Sequence, residues 1–189
     1  MKITGLILSG GMGRRMGGCD KGLQPFRGKP MVAWSIGRLA PQVDALLINA
    51  NQNLETYATF GYPVLPDRIG GFAGPLAGLH TGLLAAETPM LVTVPCDSPF
   101  LPEDPVARLL GALNERGADL AVAKTGAQAH PVFSQVRREV LESLTAFLEA
   151  GGRKIDTWYA ALKVVEVPFA DENAFSNINT LEELNQLEP

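Results

Sequence analysis

The chain has 189 residues, of which 46% are hydrophobic and 19% are charged, and its formal net charge is −4. This length predicts a single domain with a sizeable core, and this composition excludes a disordered chain. General nucleic-acid binders and anionic-membrane binders are usually basic, so the acidic balance argues against both classes.

The two cysteines, Cys19 and Cys96, are far apart in the sequence, so the chain has neither a disulfide framework nor the spacing of a zinc site. The first apolar segment is too short for a signal peptide, and no apolar run approaches the roughly 20 residues that span a membrane. We therefore expect a reduced, soluble, cytoplasmic protein that binds neither nucleic acid nor a membrane.

Short apolar runs alternate with longer amphipathic segments along the chain. The predicted strands cover 3–8, 44–51, 62–67, 89–97, 118–124, 129–136 and 163–169. The predicted helices cover 29–40, 54–60, 75–87, 102–117, 138–152 and 180–188. Buried strands that alternate with helices predict an α/β fold of three layers, with helices on both faces of a mostly parallel sheet.

No internal repeat, low-complexity tract or linker interrupts this pattern. We therefore expect one domain over residues 1–189. In open parallel sheets, ligands bind beyond the carboxyl ends of the strands, so the residues that follow each strand are the first candidates for a site. These candidates are polar residues or glycines, and in chain order they are Ser9, Gly10, Gly11, Asn49, Asn51, Asp67, Asp97, Asn177 and Asn179.

A glycine-rich segment, LSGGMGRRMGGCDKG, follows the first strand over residues 8–22. Glycines let backbone N–H groups converge on an anion, and Arg14, Arg15 and Lys21 supply charge to neutralise it. The segment fails the Walker pattern, because Cys19 stands where lysine is needed, and it fails the dinucleotide pattern, because Met16 stands where the last glycine is needed. The segment predicts a phosphate site of another type.

Two carboxylates stand at predicted strand ends. Asp97 ends a deeply apolar strand and is a natural Mg²⁺ ligand, because Mg²⁺ needs only one or two carboxylates plus phosphate oxygens and water. Asp67 has three open interpretations: it binds a ribose, it pairs with the N–H edge of guanine, or it caps the loop.

The sequence offers no pair of nucleophile and base. His80 falls in the middle of a predicted helix, His130 precedes a proline at a strand start, and Cys96 is expected in the core. Reactions built on positioning and charge neutralisation need no such pair, and phosphoryl and nucleotidyl transfer are of this kind.

Several motifs together resemble a known family. LILSGGMGRRMGGCDKGL is similar to the N-terminal signature of nucleotidyltransferases that act on small phosphorylated molecules, and DRIGGFAGPLAGL and VPCDSPFLP are similar to two later segments of these enzymes. With NANQN and the terminal NINTLEEL, the set resembles the molybdenum cofactor guanylyltransferases. The matches span residues 3 to 184.

The resemblance implies a Rossmann-like nucleotidyltransferase fold, related to the nucleotide-diphospho-sugar transferases, with a mixed sheet. It implies Mg²⁺-dependent transfer of GMP from GTP to the phosphate of molybdenum-molybdopterin, with release of pyrophosphate. It also implies transient contact with proteins that deliver and collect this cofactor. The N-terminal part would bind GTP and the C-terminal part would bind the pterin.

The resemblance also implies a role for each matching residue. Arg15, Lys21 and Asp97 would be catalytic, with Asp97 as the metal ligand. Asn177 and Asn179 would lie on the pterin side. The residues that would contact GTP are Leu8, Ser9, Gly10, Gly11, Lys21, Asn49, Asp67 and Asp97.

Three rival functions remain open. A cytidylyltransferase for the same cofactor tends to carry Ala-Ala-Gly where this chain has Ser9-Gly10-Gly11. A transferase for sugar or polyol phosphates is often longer than this chain. A non-catalytic nucleotide-binding chaperone would not require Arg15, Lys21 and Asp97 together.

Overall fold

The computed structural model describes residues 1–11, 20–70 and 74–175. In these ranges the strands are β1 (Ile3–Leu8), β2 (Pro25–Phe26), β3 (Lys29–Pro30), β4 (Ala45–Asn49), β5 (Val64–Leu65), β6 (Met90–Pro95), β7 (Leu120–Thr125), β8 (Gln128–Arg137) and β9 (Val164–Phe169). The α-helices are α1 (Met31–Leu39), α2 (Leu54–Ala58), α3 (Pro75–Ala85), α4 (Pro105–Arg116), α5 (Leu141–Glu149) and α6 (Ile155–Tyr159).

Seven strands form one sheet in the order β5-β4-β1-β6-β8-β7-β9. β5, β4, β1 and β6 run parallel to one another, and β7 runs parallel to β9. β8 is antiparallel to both of its neighbours, β6 and β7. The predicted mostly parallel sheet is therefore confirmed, as is its mixed character.

Helices cover both faces of the sheet, which confirms the three-layer prediction. On one face α1 and α4 pack on the sheet through residues such as Val32 and Leu109. On the other face α3, α5 and α6 contribute residues such as Leu83, Leu144 and Trp158 to a second core cluster. Because both faces of β1 and β6 are buried, these strands are apolar along almost their whole length.

The predicted helix over 29–40 begins two residues late, at Met31. Lys29–Pro30 pairs instead with Pro25–Phe26 in a small antiparallel hairpin. Arg27 and Gly28 form its turn with positive φ angles of 47° and 83°. The pairing uses the backbone of the residues that sequence periodicity assigns to the first helical turn.

Other element boundaries differ in smaller ways. The third predicted strand shrinks to Val64–Leu65, and the helix predicted over 138–152 begins as a 3₁₀ turn before α5. The sequence analysis assigned no element to the residues of the five-residue helix α6. The helix predicted over 180–188 lies outside the described residues.

None of the helices in the described parts of the chain is long and apolar enough to cross a membrane.

Candidate nucleotide site

Four parallel strands end at the same level on one edge of the sheet. Leu8 lies opposite Asn49 on one side and Pro95 on the other, and Asn49 lies opposite Leu65. The backbone pairing continues past β1, because the Ser9 amide donates to the Asn49 carbonyl at 2.7 Å. This shared level brings together the residues that follow the strands, namely Ser9, Gly10, Gly11, Asn51, Asp67 and Asp97.

Asn49, Asn51 and Asp67 form a hydrogen-bonded group at this edge, which we call the amide–carboxylate cluster. Asn49 Nδ2 donates to Asp67 Oδ1 at 2.8 Å, and Asn51 Nδ2 donates to Asp67 Oδ2 at 2.8 Å. The Asp67 backbone amide donates back to Asn51 Oδ1 at 2.8 Å. Both carboxylate oxygens are therefore held in place, and each retains lone pairs that can accept a hydrogen bond from a ligand.

Two glycines let backbone approach this cluster closely. A Cβ at Gly10 would lie 3.0 Å from Asn51 Nδ2 and 3.1 Å from Asn49 Oδ1. A Cβ at Gly78, in α3, would lie 2.4 Å from Asn49 Oδ1. Asn49 is thus enclosed by the first loop, by α3 and by β5, and its orientation is fixed. Gly11, by contrast, is exposed and has open space where a Cβ would be.

A cation and an anion face each other beside this cluster. Lys21 Nζ lies 3.4 Å from Asp97 Oδ2, and the two side chains are 21% and 8% exposed. Lys21 opens a short 3₁₀ turn, Lys21–Leu23, and Asp97 follows the end of β6. The pair comes from positions 76 residues apart in the sequence. Two residues that the sequence predicts to act on phosphates and metal are therefore in contact.

Asp97 has the properties of a ligand for a hard cation. Burial raises the pKa of its carboxyl group, and Lys21 opposes that rise only in part. A buried carboxylate near one lysine is stabilised further by a divalent ion, and its oxygens are the donors that Mg²⁺ prefers. Within the described ranges no group of three or more His, Cys, Asp or Glu residues could hold a metal.

Six residues named in the sequence analysis lie outside the described ranges: Arg14, Arg15, Met16, Cys19, Asn177 and Asn179. Of the remaining predicted site residues, Ser9 and Asn49 are buried and Leu8 is half-buried. The structure brings Gly10, Asn49 and Asp67 together, and it brings Lys21 and Asp97 together.

The histidines have structural partners. His80 is buried in α3, its Nε2 lies 3.0 Å from Thr145 Oγ1, and burial followed by the charge of Arg68 lowers its pKa. His130 Nε2 lies 2.7 Å from Thr125 Oγ1, its ring stacks on Phe175, and burial lowers its pKa.

Cys96 is buried behind the site, as expected for a core residue. Burial, followed by the negative charge of Asp97, raises the pKa of its thiol, so the thiolate is disfavoured. No catalytic role for this cysteine follows from its surroundings.

Sequence reasoning missed two residues next to the site. Tyr57, in α2, is fully buried, and its hydroxyl donates to Asp20 Oδ1 at 2.6 Å. From the sequence, Asp20 stands out only as the sole acidic residue between Arg14 and Lys29, a stretch that carries five basic residues. An aspartate directly before a 3₁₀ turn is a recognisable capping signal, but its tyrosine partner is 37 residues away and no local pattern connects the two.

The sequence also matches a known family model. The MobA-like NTP transferase domain aligns with residues 5–164, which is most of the chain and includes every site residue described above from Leu8 to Asp97. The chain belongs to the MobA-like NTP transferases. The match covers the glycine-rich segment, the amide–carboxylate cluster and Asp97 together.

Curated relatives agree with this assignment. The chain is 55% identical to the molybdenum cofactor guanylyltransferase of Cupriavidus necator, over 96% of this chain and 94% of that protein. It is 53% identical to the protein of the same name from Bordetella petrii, over 98% and 96% of the two chains.

Solved structures share the MobA-like fold. Molybdopterin-guanine dinucleotide biosynthesis protein A from Archaeoglobus fulgidus superposes with a TM-score of 0.81 at 24% identity, covering 100% of this chain and 97% of that one. A CMP:2-keto-3-deoxy-manno-octonic acid synthetase complexed with CTP superposes with a TM-score of 0.77 at 14% identity, covering 98% and 95%. These likenesses confirm the predicted nucleotidyltransferase fold.

Proposed function

We propose that this protein transfers GMP from GTP to the phosphate of molybdenum-molybdopterin, which yields the guanine dinucleotide form of the cofactor and pyrophosphate. The observation that carries the proposal is the meeting of two groups at one sheet edge: the amide–carboxylate cluster and the Lys21–Asp97 pair. Relatives at more than half identity that bear the name molybdenum cofactor guanylyltransferase support this choice of substrates.

The amide–carboxylate cluster is suited to the nucleoside end of GTP. Asp67 is oriented by two asparagine amides and presents acceptor oxygens, which match either the N–H edge of guanine or the ribose hydroxyls. The glycine at position 10 leaves the loop backbone close to the cluster, so Leu8, Ser9, Gly10 and Gly11 would contribute backbone contacts.

The Lys21–Asp97 pair is suited to the triphosphate end. Asp97 would hold Mg²⁺, which when bound neutralises phosphate charge and aligns the reacting groups. Lys21 would place its positive charge on the phosphates, and Arg15 of the glycine-rich segment would do the same. These charges stabilise the pyrophosphate as it leaves.

The chain needs no general base for this reaction. The terminal phosphate of the pterin is anionic near neutral pH and attacks the α-phosphorus of GTP as it stands. The P–O bond to pyrophosphate breaks as the new P–O bond forms. The protein therefore acts by orienting two anions and compensating their charge, which agrees with a site built from amides, carboxylates and a lysine.

The proposal extends to the pterin-binding region, the location of the protein and its contacts with other proteins. We propose that residues 1–189 act as one domain, in which the N-terminal part binds GTP and the C-terminal part, with Asn177 and Asn179, binds the pterin. We also propose a cytoplasmic location and transient contacts with the proteins that deliver and collect the cofactor.

Calorimetry with GTP, CTP, ATP and UTP in the presence of Mg²⁺ tests the nucleotide half of this proposal. GTP should bind with clear preference, and Lys21→Ala should weaken that binding. Formation of the guanine dinucleotide and pyrophosphate from molybdenum-molybdopterin under anaerobic conditions tests the acceptor half. Preference for CTP would instead identify a cytidylyltransferase, and binding without turnover would indicate a chaperone.

A further inference from the structure

The carboxylate of Asp20 collects three hydrogen bonds beside the proposed site. Asp20 Oδ1 accepts from the Gly22 backbone amide at 3.1 Å and from the Tyr57 hydroxyl at 2.6 Å. Asp20 Oδ2 accepts from Asn53 Nδ2 at 3.0 Å. We call these four residues the Asp20 clamp. The clamp ties the turn that carries Lys21 to the segment that begins α2.

The tyrosine of the clamp is anchored in the core. Its side chain is fully buried within the cluster beneath α1 and α4, and its ring packs at a tilt against Phe60. Burial, followed by the nearby Cys96 and Asp20, raises the pKa of the Tyr57 hydroxyl, so it remains a proton donor to Asp20. The core therefore sets the position of the hydroxyl, and the hydroxyl sets the position of Asp20.

Gly22 lies between Tyr57 and the strand end that carries the metal-binding candidate. A Cβ at Gly22 would lie 2.5 Å from the Tyr57 hydroxyl oxygen and 3.1 Å from Cys96 Sγ. Cys96 immediately precedes Asp97. The turn is thus pressed between α2 and the end of β6, and Lys21 occupies the position between the two clamp residues Asp20 and Gly22.

We propose that Tyr57 and Asp20 are positioning residues that act on GTP through Lys21. A lysine side chain is long and flexible, so it delivers its charge to a fixed point only if its backbone is held rigidly. The clamp fixes the backbone on both sides of Lys21. The inference rests on the proposed function, since it assigns a role toward the nucleotide, and it adds a residue of α2 to the site.

The sharpest test is Tyr57→Phe, which keeps the buried ring and removes only the hydroxyl. GTP affinity in Mg²⁺ is measured by calorimetry, and thermal unfolding is followed in parallel. We expect GTP to bind about five- to tenfold more weakly, the size of a typical coupling between neighbouring residues. Thr88→Val is the matched control. It removes a buried hydroxyl that lies 2.7 Å from Thr4 Oγ1, near the start of β1 and so at the other end of the parallel strands from the site. It should lower the Tm without changing GTP affinity.

A double-mutant cycle separates positioning from general stability. If Tyr57 acts through Lys21, Tyr57→Phe should weaken GTP binding in the wild type but have little further effect once Lys21→Ala is present. The inference would be overturned if Tyr57→Phe weakened GTP binding by the same factor with and without Lys21→Ala. It would also be overturned if Tyr57→Phe bound GTP with wild-type affinity.

A second variant keeps the inference testable if Tyr57→Phe folds poorly. Asn53→Gly removes an exposed donor to Asp20, and glycine tolerates the positive φ of 53° at this position. We expect a smaller loss of GTP affinity, about two- to threefold, with the same dependence on Lys21. A wild-type protein that binds no nucleotide would overturn the proposed function itself, whereas GTP binding that is insensitive to both clamp variants would overturn only this inference.

Discussion

Replacing Gly78 by alanine is a sharp test of whether the amide–carboxylate cluster binds nucleotide. The added methyl carbon would lie 2.4 Å from Asn49 Oδ1 and 2.6 Å from Leu8 Cδ2, so neighbouring atoms must move. Asn49 has little freedom to do so, because its amide donates to Leu65 O at 3.1 Å and to Asp67 Oδ1 at 2.8 Å. The substitution therefore displaces Asn49 at the expense of its bond to Asp67.

Two opposing effects set the change in stability. Alanine is favoured over glycine inside a helix by about 1 kcal/mol. Forcing a methyl group into a filled space costs about 1–3 kcal/mol. The net change in unfolding free energy should fall between roughly zero and a loss of about 2 kcal/mol. GTP binding should be weakened more clearly than stability. Displacing Asn49 disturbs the hydrogen bonding of the Asp67 carboxylate, and a hydrogen bond to a charged group contributes about 1.5–3 kcal/mol. The loss corresponds to about tenfold or more in GTP affinity.

The assay is GTP binding by calorimetry in Mg²⁺, together with denaturant unfolding. Gly111→Ala is the matched control, because it also replaces a helical glycine but its Cβ would meet no atom within 4 Å. That control should raise the unfolding free energy by up to about 1 kcal/mol and leave GTP affinity unchanged. If Gly78→Ala bound GTP as tightly as the wild type, the assignment of Asn49 and Asp67 to the nucleotide site would be refuted.

Three further predictions concern other parts of the chain. Asp97→Asn and Lys21→Ala should each lower the rate of GMP transfer by about 10²–10³ while the Tm changes little, and Mg²⁺-dependent turnover at the wild-type rate in Asp97→Asn would contradict the role of Asp97. Burial, followed by the charge of Arg68, lowers the pKa of His80, so the unfolded chain binds this proton more tightly than the folded chain does. The free energy of unfolding should therefore be highest above the usual pKa of about 6.5 and should fall as the pH drops below it. His80→Gln should flatten this part of the profile of unfolding free energy against pH, and an unchanged slope would contradict the argument. Gln135 is fully buried, and its side-chain amide has no hydrogen-bond partner among the described residues. Gln135→Met should therefore raise the unfolding free energy, measured by urea titration, by about 1–3 kcal/mol. A loss of stability would show that the amide has a partner.

Much of the fold could be predicted because it depends on local pattern. Apolar runs such as Ile3–Leu8 and Met90–Pro95 indicate strands that are buried on both faces. Helices between such strands indicate crossover connections and therefore a parallel sheet. The hairpin at Pro25–Phe26 and Lys29–Pro30 was not predicted, because two-residue strands carry no periodicity.

The candidate site divides in the same way. Residue type and position at strand ends were enough to select Asn49, Asp67 and Asp97, since parallel strands bring their carboxyl ends to one edge. The sequence did not reveal which of these side chains touch one another. The bond between Asn49 and Asp67 joins residues 18 apart, and the pair of Lys21 and Asp97 joins residues 76 apart.

The sequence by itself therefore determined the layers of this protein and the edge at which its site lies, because hydrophobic periodicity and chain order are local properties. Only the tertiary structure decided how that edge is held. Tyr57 reaches Asp20 because α2 packs its ring into the core beside the Lys21–Leu23 turn. Gly22 is required because Tyr57 and Cys96 approach it from two sides. Such contacts depend on the distance between separate elements after packing, and no short stretch of sequence encodes that distance.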